Sequence, residues 1–177
     1  SIVGRLREAV KRNEGSHLNN VSSLFEATSL VGDEVRYAFE KDGEHLKNHH
    51  ADFQVSIIVA GQIKGEKPRL FTVYNAGNFI ETSAETPYFQ IGEIKYGKPI
   101  LDRVIHPGIS MSQAIKCALV SFDSTIKSNL SVGLPIDVAM VKTDDLQVTK
   151  RHRIDAEDAY FRDLRSSWSQ GLRQVFG

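Results

Sequence analysis

Helix-periodic segments open the chain, recur in its middle and close it, and runs of strand with their turns fall between them. That grouping predicts an α+β layered domain and speaks against alternating βαβ units. Three observations carry the prediction. Apolar residues recur at helical spacing near both ends, β-branched runs joined by turn residues follow residue 53, and a capped amphipathic segment begins at Ser110.

In "SIVGRLREAVKR", Ile2, Val3, Leu6, Ala9 and Val10 repeat at helical spacing, and Gly15 supplies a stop. A second, long helix starts around Val21–Ser23, with Leu24, Phe25, Leu30, Val31, Val35, Ala38 and Phe39 on its apolar side, and ends in "EHLKNHH". Strands are expected near 53–62, 69–75 and 78–82. The turns Gly65-Glu66-Lys67-Pro68 and Asn75-Ala76-Gly77-Asn78 join them as antiparallel hairpins. A short strand at 88–92 leads to a helix starting near Lys95 or Tyr96. The clearest internal helix is "SMSQAIKCALVSFDSTIKSN": Ser110 can cap it with Gln113 three residues on, and Ile115, Ala118, Leu119 and Phe122 form its buried stripe. A strand at 135–142, a turn at Thr143-Asp144-Asp145 and an edge strand at 146–151 follow. The closing helix, from about Glu157 to Phe176, carries Tyr160, Phe161, Leu164, Trp168, Leu172, Val175 and Phe176 on one face.

At 177 residues, one domain is the natural expectation. Hydrophobic content of 41% and charged content of 25% place the chain far from the disordered range. Lysine plus arginine equals aspartate plus glutamate at 22 each, so net charge gives no reason to expect nucleic acid or an anionic membrane as partner. The single cysteine, Cys117, excludes an intramolecular disulfide and a cysteine-rich zinc module, and its apolar neighbours make it a small core residue. No apolar run approaches the ~18 residues of a membrane span. A reducing cytoplasmic compartment fits these features.

Most motifs dissolve on inspection. "GQIKGEKPR" lacks the spacing and the Ser/Thr of a phosphate loop and reads as a hairpin turn. His45 and His49 stand one helical turn apart beside His50, but no acid or third ligand accompanies them, so a solvated helix end is favoured over a metal site. His106, before Pro107-Gly108, reads as a surface turn. The acids of "DAEDAYFRD" belong to the first turn of the last helix, where they complement its dipole. One stretch stands out: "SNLSVG", Ser128 to Gly133, sets three short polar side chains within four positions between a helix and an apolar strand.

Several segments together resemble the proteasome β-type family: "VSIIVAGQIKGEKPRLFTVYNAGNFIET" its hairpin pair, "FQIGEIKYGKPILDRVI" its glycine turn and following helix, "SMSQAIKCALVSFDST" the next helix, and "LPIDVAMV" the strand after it. "AGQIKGEKPRLF", "IGEIKYGKPILDR", "CALVSFDSTIKSNLSVGLP" and "YFRDLRSSWSQGLRQVF" are similar to the bacterial proteasome-like subgroup called Anbu. The resemblance covers nearly the whole chain. It implies the four-layer αββα fold of N-terminal-nucleophile hydrolases, present here without its first strands, so that residues 1–177 form a single, N-terminally incomplete domain.

The same resemblance implies a threonine-type peptidase subunit of a self-compartmentalising homo-oligomer, a ring or spiral, acting on peptide or protein substrates without a cofactor or metal. Its nucleophile is an N-terminal Thr whose own α-amine takes the hydroxyl proton, with an Asp and a Lys nearby. None of the three matches a residue of this sequence. Ser1 leads directly into an amphipathic helix and is read as a boundary, not a nucleophile. The supporting positions that do match are Glu93, after Gly92 in the glycine turn, and the pair Ser128 and Ser131 after the helix. Glu93 replaces a family Ser and Ser128 a family Asp, so Glu93 is expected to supply the charge that Ser128 lacks. Two other readings stay open: a non-catalytic structural subunit of such an assembly, and a small-molecule amidase on the same fold.

Overall fold

The computed structural model describes residues 1–48 and 54–177. They divide into two compact units, Ser1–Ser83 with Thr143–Leu146, and Ala84–Lys142 with Gln147–Gly177.

The first unit pairs two helices with a three-stranded sheet. Helix α1, Ile2–Arg12, is capped by the Ser1 hydroxyl, which accepts the Gly4 N–H. It stops one turn before Gly15, because Asn13 takes the left-handed C-cap conformation. Helix α2 runs from Leu24 to Asn48. Its buried stripe is Leu24, Ala27, Thr28, Val31 and Val35, whereas Phe25 and Phe39 are about half exposed. Thr28 can be wholly buried because its hydroxyl returns to the Leu24 carbonyl at 2.7 Å.

Strands β1 (Ile57–Gly61), β2 (Arg69–Val73) and β3 (Phe79–Glu81) form an antiparallel meander in the order β1-β2-β3. β1 starts later than the sequence predicts, since the Val55 N–H is taken by the Asn75 side chain in place of a ladder partner. Val31, Val35 and Val73 make one apolar cluster, joined by Ile2 and Leu6 of α1; Leu24, Ala27 and Phe71 belong to a second. At the turn between β2 and β3 the backbones touch. A Cβ on Gly32 would lie 2.2 Å from the Gly77 carbonyl oxygen, and one on Gly77 2.4 Å from that of Gly32. Gly77 also needs its φ of +74°.

The β1–β2 connection is the expected hairpin turn, with Gly65 left-handed and the Glu66 N–H bonded to the Ile63 carbonyl. Glu66 reaches the free N–H of Leu24 at the start of α2. The Thr143–Leu146 loop is clamped to this hairpin: Gln62 donates to the Asp144 carboxylate and accepts the Asp144 N–H, both at 2.7 Å.

The second unit is built around α4, Met111–Ser128, with helix α3 (Lys98–Val104), strands β4 (Ile136–Met140) and β5 (Lys150–Ile154), and helix α5 (Ala159–Val175). α3 begins at Lys98–Pro99, where proline loses nothing by lacking an N–H. The expected strand at 88–92 does not form, because no ladder partner lies beside it among the described residues. The Ser110–Gln113 capping box is present in full.

The stripe expected on α4 is only partly right. Leu119 packs with Ile136, Ile154 and Phe161, but Phe122 is 42% exposed, while Cys117, Ser121, Asp123 and Thr125 are buried. Burial raises the Cys117 thiol above its ordinary pKa, which keeps it an inert core residue. Asp123 meets Arg165 of α5 at 2.5 Å. On α5, Phe161, Leu164 and Trp168 face inward at i, i+3 and i+7, whereas Tyr160, Leu172, Val175 and Phe176 are exposed.

β4 and β5 are antiparallel, Ile136 opposite Ile154 and Met140 opposite Lys150. β5 therefore lies four residues later than the edge strand expected at 146. Asp144 and Leu146 both take left-handed φ, +67° and +51°, which interrupts extension until Thr149 returns to the Met140 carbonyl. The acids before α5 sit outside its first turn. Asp158 is the N-cap, accepting the Phe161 N–H at 2.8 Å, and His152 bonds its other oxygen at 2.9 Å. These contacts, the Phe161 N–H foremost, hold the Asp158 carboxyl below the usual carboxylate range.

Candidate functional site

α4 ends at Ser128, and Asn129 leaves the helix in an extended conformation with its N–H still bonded to the Thr125 carbonyl at 2.9 Å. The chain then turns through Leu130–Gly133 and enters β4 after a cis Leu134–Pro135 bond. In the same unit, Gly92 adopts a φ of +82°, a conformation suited to glycine, and turns the chain so that Glu93 approaches the end of α4.

Three side chains meet there. Asn129 Nδ2 donates to Glu93 Oε2 at 2.8 Å, and Asn129 Oδ1 accepts from both the Ser131 hydroxyl, at 2.7 Å, and the Ser131 N–H, at 2.9 Å. The second Glu93 oxygen accepts the Lys95 N–H at 3.0 Å. The Glu93 carboxylate is thus held by two N–H dipoles, one on each oxygen. Glu93 and Asn129 are half-buried and Ser131 is exposed. Such a cluster can accept hydrogen bonds and attract positive charge; the Ser131 hydroxyl is bonded to an amide oxygen and not to a base that would activate it.

Of the residues singled out in the sequence, Glu93 and Ser131 come together, though through Asn129 and not directly. Ser128 stands apart, exposed on the last residue of α4. Asn129 carries no signal of its own in the sequence; the one available sign is the density of polar residues in "SNLS". Ser1 is occupied in capping α1. His106 lies exposed in a turn, its ring accepting the Gly108 N–H. His49, His50 and the side chain of His45 lie outside the described residues. An open cleft of about 470 Å³ lies among Met111, Val138, His152 and Tyr160, and none of Glu93, Asn129 or Ser131 lines it. No helix among the described residues is long and apolar enough to cross a membrane.

Residues 34–141 match the proteasome subunit family. The chain belongs to that family and has its mixed α+β fold, as the sequence predicts. Within it, the chain is similar over its whole length to Anbu structures. Against Anbu, the ancestral β-subunit, from Yersinia bercovieri, identity is 44% and the TM-score 0.91, covering 99% of this chain and 72% of that one. Against Anbu from Hyphomicrobium sp. strain MC1 the values are 46% and 0.89, with the same coverage. A helical assembly of the Anbu complex from Pseudomonas aeruginosa gives 43% and 0.92, again over 99% and 72%. No curated protein sequence matches the chain.

Proposed function

We propose that the chain is part of a subunit of a cytoplasmic, homo-oligomeric, proteasome-like hydrolase that cleaves peptide or amide bonds with an N-terminal Thr, and that its 177 residues belong to one domain. The carrying observation is the Glu93–Asn129–Ser131 cluster in a chain of the proteasome subunit family. The family resemblance sets Glu93 and Ser131 near the α-amine of the nucleophile, and Asn129 joins them by its hydrogen bonds. A carboxylate with a hydroxyl acceptor beside it suits that place, because both favour a protonated amine after it has taken the Thr hydroxyl proton. The hydroxyl oxygen then attacks the carbonyl carbon, the amine returns its proton to the leaving group, and water releases the acyl-enzyme. Ring or spiral assembly is proposed from the helical Anbu complex.

The test uses the full-length protein and a covalent Thr-directed electrophile, followed by intact-mass and peptide mapping. A single adduct on an N-terminal Thr, with parallel loss of peptide hydrolysis, is expected. A protein that assembles but takes no adduct and cleaves nothing would be the non-catalytic structural subunit.

A further inference from the structure

We infer that Asn129 is a positioning residue that makes the Ser131 hydroxyl a pure hydrogen-bond acceptor and couples it to the charge of Glu93, so that the pH dependence of the site is set through this amide. The functional half of this inference rests on the hydrolase reading above; the positioning half rests on the geometry alone.

The orientation of the Asn129 amide is dictated by its neighbours. Ser131 presents a backbone N–H 2.9 Å away, which can only donate, so Oδ1 must face it. Turned the other way, two donors would oppose each other there, and Oδ1 would face the Glu93 carboxylate at 2.8 Å. With Oδ1 fixed, the Ser131 hydroxyl proton goes to Asn129 at 2.7 Å. A serine has one hydroxyl proton, so Oγ is left with lone pairs only. It can then receive an ammonium or a water proton, but it cannot donate to an oxyanion.

Two sources of negative potential bear on that acceptor. Glu93 polarises the amide from its Nδ2 side, and Asn129 also caps the C-terminus of the 18-residue α4, where the helix dipole favours cations. Ser128, although it occupies the position matching the family's acid, takes no part: it is exposed on the helix end and has no place in the hydrogen-bond chain.

The experiment takes the full-length protein and the variants Asn129→Ala, Asn129→Asp, Glu93→Gln and Ser131→Ala. In a general base made of an α-amine, the acidic limb of kcat/KM follows the amine's pKa. Loss of the acceptor or of the anion lowers that pKa, and an added carboxylate raises it. Asn129→Ala, Glu93→Gln and Ser131→Ala should therefore move the limb to lower pH by about half a unit, and Asn129→Asp should move it to higher pH. Asn129→Ala should also lower kcat about tenfold with KM little changed. A limb that stays in place in both Asn129 variants overturns the inference, because a purely structural role would change the amount of active protein and not its titration.

A second readout needs no activity. The side-chain amide resonances of Asn129 should follow the ionisation of Glu93 in the wild type and lose that titration in Glu93→Gln. Absence of the titration in the wild type overturns the positioning claim even if the enzyme is active. Its presence in a protein that hydrolyses nothing leaves the positioning intact and removes the hydrolase reading instead.

Discussion

Helices α2 and α4 are each the longest helix of their unit, yet they are buried by different means. The inward face of α2 is leucine, valine and alanine with one self-satisfied threonine, and its closest approach is steric: the bare backbone of Gly32 against that of Gly77. The inward face of α4 includes Ser121, Asp123 and Thr125, and its C-terminus continues into the polar chain of Asn129 and Ser131. Shape sets the tolerance of the first unit to change. Polarity sets that of the second, since each buried polar group needs a partner, which must come from elsewhere in the chain or from the helix backbone.

The largest effect should come from breaking the steric contact. Alanine in a helix is ordinarily better than glycine by about 1 kcal/mol. At Gly32, however, the new Cβ would stand 2.2 Å from a backbone oxygen that cannot rotate away. Gly32→Ala should lower stability by about 3 kcal/mol in urea unfolding. A neutral result would show that the hairpin turn yields and would erase the contrast between the two helices.

Next in size is Arg165→Met. It leaves the buried Asp123 carboxylate without its cation and should cost about 2 kcal/mol, less than for a fully buried pair because Arg165 is itself 36% exposed. Unchanged unfolding would mean that water reaches Asp123.

The acid sensitivity of the second unit offers a subtler measurement. The Asp158 carboxyl is held low in the fold, so its contribution is present above the ordinary carboxylate pKa of about 3.9 and is lost as pH falls through the lower, folded value. Asp158→Asn keeps a cap but not the charge. The stability gap between variant and wild type should be open at pH 6 and close towards pH 2, as followed by thermal melts. A gap independent of pH would exclude the charge as its origin.

The smallest effect sharpens the comparison at the site itself. Ser128→Ala should change stability by no more than about 0.5 kcal/mol and leave any pH–rate profile unmoved. A change as large as that of Asn129→Ala would move Ser128 into the working cluster.

What the sequence discloses follows these two modes of burial. Apolar periodicity locates α1, α2, α4 and α5, because burial of carbon surface leaves a pattern in one dimension, and turn residues locate the first hairpins. It misplaces the stripe of α2 at Phe25 and that of α4 at Phe122, since it counts apolar residues and cannot see that Thr28 or Asp123 has a partner that permits burial. The start of β5 is missed for a related reason. Asp144 and Leu146 take left-handed conformations without being glycine, and nothing local in Leu146 announces it. At the site, family resemblance supplies Glu93 and Ser131, whereas Asn129 is visible only once residues 36 apart in sequence come within 2.8 Å.

The clamp between Gln62 and Asp144 has a kinetic meaning. It closes a loop of 82 residues with two short hydrogen bonds, so it must be among the contacts of highest sequence separation in its unit. Closure of so long a loop costs entropy before the bonds return anything. The hairpin it secures can therefore form early from local pairing, while its final fastening waits until the chain has been made as far as residue 144. During synthesis, the first unit can acquire its sheet long before it acquires its latch.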